Sequence, residues 1–260
     1  MKAQIQRWSE RAGYPVIPKW RLAKLDQSSH LKTLFERLGI DCVLDVGANI
    51  GQFHEFLRLH VGYTGHIVSF EPVPELCERL QASSRSDPGW TVHPYALGER
   101  DSRAEINVLA EATLTSFLPR DEQALRRMGY EKYLQETELT RKEVVPVRRL
   151  DQVFDEILPG GRTRVFLKSD TQGYDMNVVR GAAGCLHRIP ALQIELSIRH
   201  IYRDAPNYMD AIVELNELGY AATGFYPVQR DSALRIVNID CVMIREEEAQ
   251  RLRSRTAHGN

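Results

Sequence analysis

Short runs of consecutive apolar residues alternate along this chain with longer segments in which apolar side chains recur every three or four positions. The runs Cys42–Val46, His66–Glu71, Trp90–Tyr95, Arg164–Asp170 and Leu192–Leu196 are too short for helices and predict strands, buried on both faces where they are continuously apolar. Between them the period lengthens. From a cap at Ser28 or Ser29 to a stop at Gly39, Leu31, Leu34, Phe35 and Leu38 predict a helix. Ile50–Leu59 follows, with Ile50, Phe53 and Leu57 inward, and then Pro74–Ala82 with Leu76 and Leu80. Val178–Leu186 turns Val179, Ala182, Ala183 and Leu186 inward, and Tyr208–Leu218 does the same with Ile212 and Leu215. Ala221–Tyr226 and Ile236–Met243 read as terminal strands. Strand–helix alternation of this kind predicts an α/β fold, doubly wound around a largely parallel sheet.

The rhythm pauses after Gly98. Arg103–Leu109 reads as an extra strand, with Ala104, Ile106 and Val108 in alternation, Glu122–Leu134 as helix, and Val144–Val147 as extended chain. The segment 99–148 is therefore an insertion between strands three and four, too long for an ordinary connection. It is either a cover over the substrate or a solvated excursion. Residues 1–27 lack a clear period and contain Pro15 and Pro18, so they are expected to form an arm. Residues 28–245 form the domain, and the charged tail 246–260 is expected to fray.

Composition narrows the classes. Among 260 residues, 43% are hydrophobic and 27% charged, ordinary for a globular domain. A net charge of −1 supplies no global field for nucleic acid or an anionic membrane. No apolar run is long enough for a transmembrane helix, and the N-terminus lacks an apolar signal core, so a cytoplasmic protein is expected. Cys42, Cys77, Cys185 and Cys241 form no CxxC pair and read as buried reduced thiols.

The chemistry concentrates at strand ends, where open α/β sheets bind ligands. Four of the five tips are acidic: Asp45, Glu71, Asp170 and Glu195, with Tyr95 the fifth. Asp45-Val46-Gly47-Ala48-Asn49-Ile50-Gly51 is a strand opening through a glycine loop into a helix. Glu71 lies 20 residues past Gly51, at the next strand tip, where a ribose diol would sit. Asn49 replaces the glycine that lets a dinucleotide pyrophosphate approach, and a carboxylate at Asp45 disfavours phosphate. S-adenosylmethionine carries an ammonium, a sulfonium and a ribose without phosphate, so it fits this loop better than a nicotinamide dinucleotide.

At this point the chain resembles the class I S-adenosylmethionine-dependent methyltransferases, and more closely the FkbM family. The likeness is carried by Asp45 to Phe53, Phe70-Glu71-Pro72-Val73-Pro74, Ala96-Leu97-Gly98, Val147 to Asp151, Leu167 to Asp175, Val179-Arg180-Gly181-Ala182 and Ile194-Glu195-Leu196-Ser197. It runs from about Leu31 to Met243, and the block Lys168 to Tyr174 is its most specific part. Asp175 departs from the family pattern, where a glutamate is expected. The family's serine-rich segment is reduced to Leu114-Thr115-Ser116-Phe117. The resemblance implies a Rossmann-like, mostly parallel seven-stranded sheet. It also implies O-methylation of a hydroxyl on a natural product of secondary metabolism, a sugar or a glycolipid. The expected cofactor contacts are Asp45, Gly47, Ala48, Asn49, Gly51, Glu71, Pro72, Ala96, Leu97 and Asp170.

A hydroxyl is a poor nucleophile until its proton leaves, so a general base is sought. Asp170 is the first candidate, its alternatives being a turn cap or a partner of the cofactor amine. Glu195 could share a proton with Asp170, or the two could hold Mg²⁺. His200 is a candidate base or ligand. Lys168, two residues before Asp170 on the same strand face, could hold either carboxylate ionised. His54 is structural or near the cofactor. Ser116, Gln172 and Tyr174 are candidate acceptor contacts. Arg126, Arg127, Tyr130 and Tyr133 are candidates to close over the acceptor or to face solvent. The expected partner is a small-molecule hydroxyl acceptor, the expected state a monomer or homodimer. The competing readings are a nicotinamide oxidoreductase and a non-catalytic cofactor-binding module.

Overall fold

The computed structural model describes residues 19–129 and 131–257. In chain order, the helix α1 (Lys19–Leu38) leads into β1 (Cys42–Val46), α2 (Gln52–Phe56), β2 (His66–Phe70), α3 (Pro74–Ser84) and β3 (Trp90–His93). Then come β4 (Ala96–Leu97), β5 (Ser102–Leu109), α4 (Glu122–Arg127), α5 (Glu131–Glu136) and β6 (Leu139–Arg148). The chain continues through α6 (Leu150–Ile157), β7 (Val165–Ser169), α7 (Asp175–Gly181), β8 (Ala191–Ser197), α8 (Tyr208–Glu217), β9 (Tyr220–Arg230), β10 (Ile236–Arg245) and α9 (Glu246–Ala257).

Seven strands form one sheet in the order β3-β2-β1-β7-β8-β10-β9. The neighbours from β3 through β8 pair in parallel, and β10 runs antiparallel to both β8 and β9. The fold is thus α/β with a mostly parallel seven-stranded sheet. Every residue of β1, β2, β7 and β8 is buried, because helices cover both faces. Strand alternation divides the core in two. Leu44, Leu167 and Ile194 pack with α6, α7 and α8, whereas Val43, Ile67 and Phe166 pack with α1 and the chain around α2.

Residues 102–109 and 139–148 pair antiparallel, and together with β4 they make a separate three-stranded sheet in the order β4-β6-β5. Ile106, Val108 and Val145 of this small sheet pack on Val73 and Leu76 at the start of α3. That contact sets the insertion beside the tip of β2. The blocks Ala96-Leu97-Gly98 and Val179 to Ala182 meet here: a Cβ on Gly181 would overlap the carbonyl oxygen of Gly98.

Several boundaries differ from the expected ones. Residues 19–27, expected in an arm, are helical. Ser28 lies inside α1 and donates its hydroxyl to the Leu25 carbonyl rather than capping a helix. The polarity of this stretch hides a buried Gln27, which donates to Asp240 Oδ2 at 2.9 Å. The rest of the expected arm, 1–18, lies outside the described residues. α2 starts only at Gln52 and continues as a π-helical turn, Leu57–Val61, so Ile50 is exposed rather than inward. Ala183 also faces solvent. α6 was not anticipated, although Leu150, Val153, Phe154 and Ile157 mark a clear helical face. The tail is helical over Glu246–Ala257 and docks through Glu248, whose two oxygens accept from the Arg164 guanidinium at 2.9 and 3.0 Å.

Candidate active site

The strand tips converge on a narrow cleft. Gly47 and Asn49 form one side, Glu71 and Pro72 a second, Ala96 and Leu97 a third, and Asp170 to Gln172 the fourth. Thr113, Ser116 and Phe117 of the insertion line it as well, so the insertion lies against the glycine loop and Glu71. Gly47 has φ 75°, and a Cβ there would overlap the carbonyl oxygen of Asp170. The loop therefore passes directly against the chain leaving β7, and only glycine leaves that space open.

Glu71 ends β2 nearly buried, at 5% exposure. Its Oε2 accepts the Asn49 N–H at 2.8 Å and its Oε1 the Val73 N–H at 2.9 Å. Burial pushes this carboxyl up to about 7, against the pull of those two N–H groups. Each oxygen keeps acceptor capacity for a ligand hydroxyl.

Asp45 does not line the cleft. It is fully buried, accepts from Ser69 Oγ at 3.3 Å, and pairs with Lys168, whose Nζ stands 3.0 Å from Oδ1. The parallel register sets Asp45 opposite both Ser69 and Lys168, and Lys168 opposite Gln193. The expected contact between Asp45 and a cofactor ammonium is therefore replaced by an internal ion pair. The Lys168 ammonium also donates to the carbonyls of Val46 and Gly47 at 3.4 and 3.3 Å, and lies 3.8 Å from Asp170 Oδ2. Burial disfavours its charge, but Asp45 and Asp170 outweigh burial and hold the ammonium above the usual lysine value. It supports the loop from below. Ala48 and Gly51 also lie outside the cleft: Ala48 is in the core, and Gly51 caps α2 against Trp90.

Asp170 is the one partly open carboxylate at the cleft, with its side chain 37% exposed. Its Oδ1 accepts from Gln172 Nε2 at 2.8 Å. Gln172 has φ 55° and binds in four directions. It donates to Asp170 and to Glu195 Oε2, accepts from the Tyr202 hydroxyl, and receives Ser116 Oγ on its carbonyl at 2.8 Å. Ser116 is buried and its oxygen also accepts the Leu118 N–H, so this hydroxyl ties the insertion to the β7 loop. Tyr174 is outside the cleft, its ring tilted against that of Phe117 with centroids 4.8 Å apart.

Glu195 faces away from the cleft, between Gln172 and Asn238. Burial, reinforced by Asp170, Asp240 and Asp175, raises its carboxyl well above the usual range. Asp240, not anticipated, is pushed up to about 6, mainly by burial. Asp175, also missed, accepts from Ser169 Oγ, Thr171 and Gly173 and closes the 170–175 turn. Asp175 is the first residue of α7, and its carboxylate reaches back to the turn before the helix rather than capping it. No group of three or more His, Cys, Asp or Glu able to hold a metal occurs among the described residues, so Asp170 and Glu195 gain no third ligand there. His200 lines a different cleft. His54 stacks on Trp90 at 3.7 Å and binds Asp87, which makes it structural. Arg126 and Arg127 are exposed, Tyr130 is outside the described residues, and so is the side chain of Tyr133. No helix among the described residues is long and apolar enough to cross a membrane.

The model of the FkbM methyltransferase domain matches residues 45–222, which is more than half of the chain. No curated protein matches the sequence significantly. Among solved structures, methyltransferase FkbM from Methylobacillus flagellatus is similar at 18% identity and TM-score 0.45, over 79% of this chain and 43% of that one. This chain thus spans less than half the length of that protein. Aeropyrum pernix fibrillarin, solved with bound S-adenosyl-L-methionine, has 12% identity and TM-score 0.45, over 84% of this chain and 73% of its own. Magnesium protoporphyrin IX methyltransferase from Synechocystis, also solved with that cofactor, has 10% identity and TM-score 0.43, over 94% and 91%. On the strength of the domain match, the chain belongs to the FkbM family of methyltransferases.

Proposed function

We propose that this protein binds S-adenosylmethionine in the cleft between Gly47, Glu71 and Asp170 and methylates a hydroxyl oxygen of a small-molecule natural product, sugar or glycolipid. The observation that carries the reading is Glu71: a buried acceptor carboxylate at one end of a narrow cleft, with the partly open Asp170 at the other. The donor set fits this cofactor. Glu71 suits a ribose diol, and Pro72, Ala96 and Leu97 offer apolar surface to a purine. When bound, S-adenosylmethionine supplies a methyl group made electrophilic by a sulfonium.

The chain's own residues supply position and a proton acceptor. Lys168 and the Asp170 backbone fix the height of the glycine loop, because both touch it from the β7 side. Gln172 occupies Oδ1 of Asp170; with the cofactor bound, Oδ2, 3.8 Å from the Lys168 ammonium, would take the acceptor's hydroxyl proton while the methyl carbon exchanges its bond to sulfur for one to the acceptor oxygen and S-adenosylhomocysteine leaves. Alignment of two bound reactants supplies much of the acceleration in such a displacement. Glu195, whose carboxyl is pushed well above the usual range by burial and the neighbouring acids, accepts from Gln172 Nε2 and orients it.

The test is incubation with methyl-labelled S-adenosylmethionine and a panel of hydroxylated glycosides, lipids and polyketides. One added methyl on an acceptor oxygen, reduced by about 10²-fold or more in Asp170→Asn, is the expected result. Transfer to nitrogen or carbon would refute the hydroxyl assignment, and full activity in Asp170→Asn would remove the base.

A further inference from the structure

A second cleft, of about 620 Å³, opens on the other side of the Gln172–Tyr202 contact. Three separate parts of the chain build it: the segment after β8, helix α4 of the insertion, and the start of β10. They are fastened to one another. Arg120 and Tyr202 form a backbone bridge, the Asp121 N–H donates to the Ile201 carbonyl, and the Arg203 N–H donates to the Pro119 carbonyl. Ser232 Oγ donates to the Met128 carbonyl, and the Ile198 and Arg199 N–H groups both reach Val237. The cleft is a formed feature of the fold rather than a gap between loose loops.

Its charge is one-sided. Arg127, Arg199, Arg203 and Arg235 line it together with His200, against the carboxylates Asp121 and Asp204. Asp121 Oδ1 is occupied by the Ala124 N–H, and Arg235 is paired with Asp231. Arg127, Arg199 and Arg203 make no side-chain hydrogen bond or ion pair among the described residues. Arg203 also lies within electrostatic reach of the Glu122 carboxylate, so of the three only Arg127 and Arg199 have no acidic group set against them among the described residues, and in the lining three guanidiniums face the two carboxylates of Asp121 and Asp204. Guanidinium groups match planar and tetrahedral oxyanions through paired N–H bonds. Buried Met128 and Ala205 add apolar surface beside them.

We infer that this cleft binds an oxyanion-bearing small molecule, a phosphate ester or polycarboxylate, through Arg127, Arg199 and Arg203. The Tyr202 hydroxyl donates to the Leu114 carbonyl at 2.6 Å and lies 3.2 Å from Gln172 Oε1, so this buried ring separates the cleft from the residue that also holds Asp170.

Calorimetric titration of the full chain with pyrophosphate and, separately, citrate tests the site. We expect saturable binding at low salt that weakens as sodium chloride is raised. Preference for pyrophosphate would assign a phosphate ligand and preference for citrate a carboxylate. Arg199→Gln/Arg203→Gln should bind about 100-fold more weakly, about tenfold for each lost charge-assisted contact. The exposed pair Arg100→Gln/Arg253→Gln removes the same charge elsewhere and should bind as wild type. S-adenosylhomocysteine titrated into each protein reports the first cleft and folding. Absence of both anions from a wild type that binds S-adenosylhomocysteine overturns this inference alone. Equal weakening by the two double variants overturns it too, since only net charge would then matter. Loss of S-adenosylhomocysteine binding by wild type would sink the cofactor reading, while the anion titrations still decide the second cleft.

Discussion

Lys168 Nζ lies 3.0 Å from Asp45 Oδ1, between two adjacent strands and with both side chains buried. The pair joins β1 to β7 directly beneath the glycine loop, and the same ammonium donates to the loop carbonyl of Gly47. A buried pair of this kind adds little net stability against apolar replacement, but losing one partner leaves an uncompensated charge. Lys168→Met should therefore destabilise the fold by about 3–5 kcal/mol in urea denaturation. Asp45→Leu/Lys168→Met should recover most of that loss and still bind S-adenosylhomocysteine weakly, because the loop has lost its support. A double variant as unstable as Lys168→Met would contradict the assignment.

Glu71 gives the cofactor site a pH dependence of defined sign. The ionised carboxylate accepts ribose hydroxyls best, and in the empty site it takes up a proton at about 7. Affinity for S-adenosylhomocysteine should be flat above pH 8 and about tenfold weaker at pH 6, one proton being released on binding. Glu71→Gln should bind weakly with little change over this range. Titrations in buffers of different ionisation enthalpy would read the released proton directly.

Asp240 predicts the pH dependence of folding. Its folded value of about 6 lies above that of an unfolded aspartate, so the folded state holds the proton more tightly. Its contribution is complete below about pH 4 and is lost as pH rises through 6. The amount is on the order of 3 kcal/mol. Asp240→Asn keeps an acceptor for Gln27 and should flatten the fall in melting temperature across that window. An unchanged slope would mean that another buried acid, Glu195 or Glu71, governs it.

The strands were legible because continuous apolar runs such as Cys42–Val46 and Val165–Ser169 are buried on both faces. The tips Glu71 and Asp170 followed from those strands. Elements held by polar contacts were not legible. The first turns of α1 dock through Gln27, and α9 docks through the pair of Glu248 with Arg164. Nothing in a hydrophobic pattern marks either partner. The pairing of 102–109 with 139–148 skips a long stretch of chain, so the small sheet could not be read from local spacing. Asp45 is the instructive case at the site. Its place in the strand was clear, but its direction depends on the register that sets Lys168 opposite it. That register is fixed by tertiary packing. His200, a candidate base or ligand whose distance from Asp170 the sequence left open, lines the second cleft.

Glu71 anchors the proposed S-adenosylmethionine site. The most direct measurement is calorimetric titration of S-adenosylmethionine into wild type and Glu71→Ala at pH 8. Saturable one-to-one binding, weakened at least tenfold in the variant as two charge-assisted hydrogen bonds are lost, is the predicted result. Binding that is equally tight in Glu71→Ala, or no binding by a folded wild type, would contradict it.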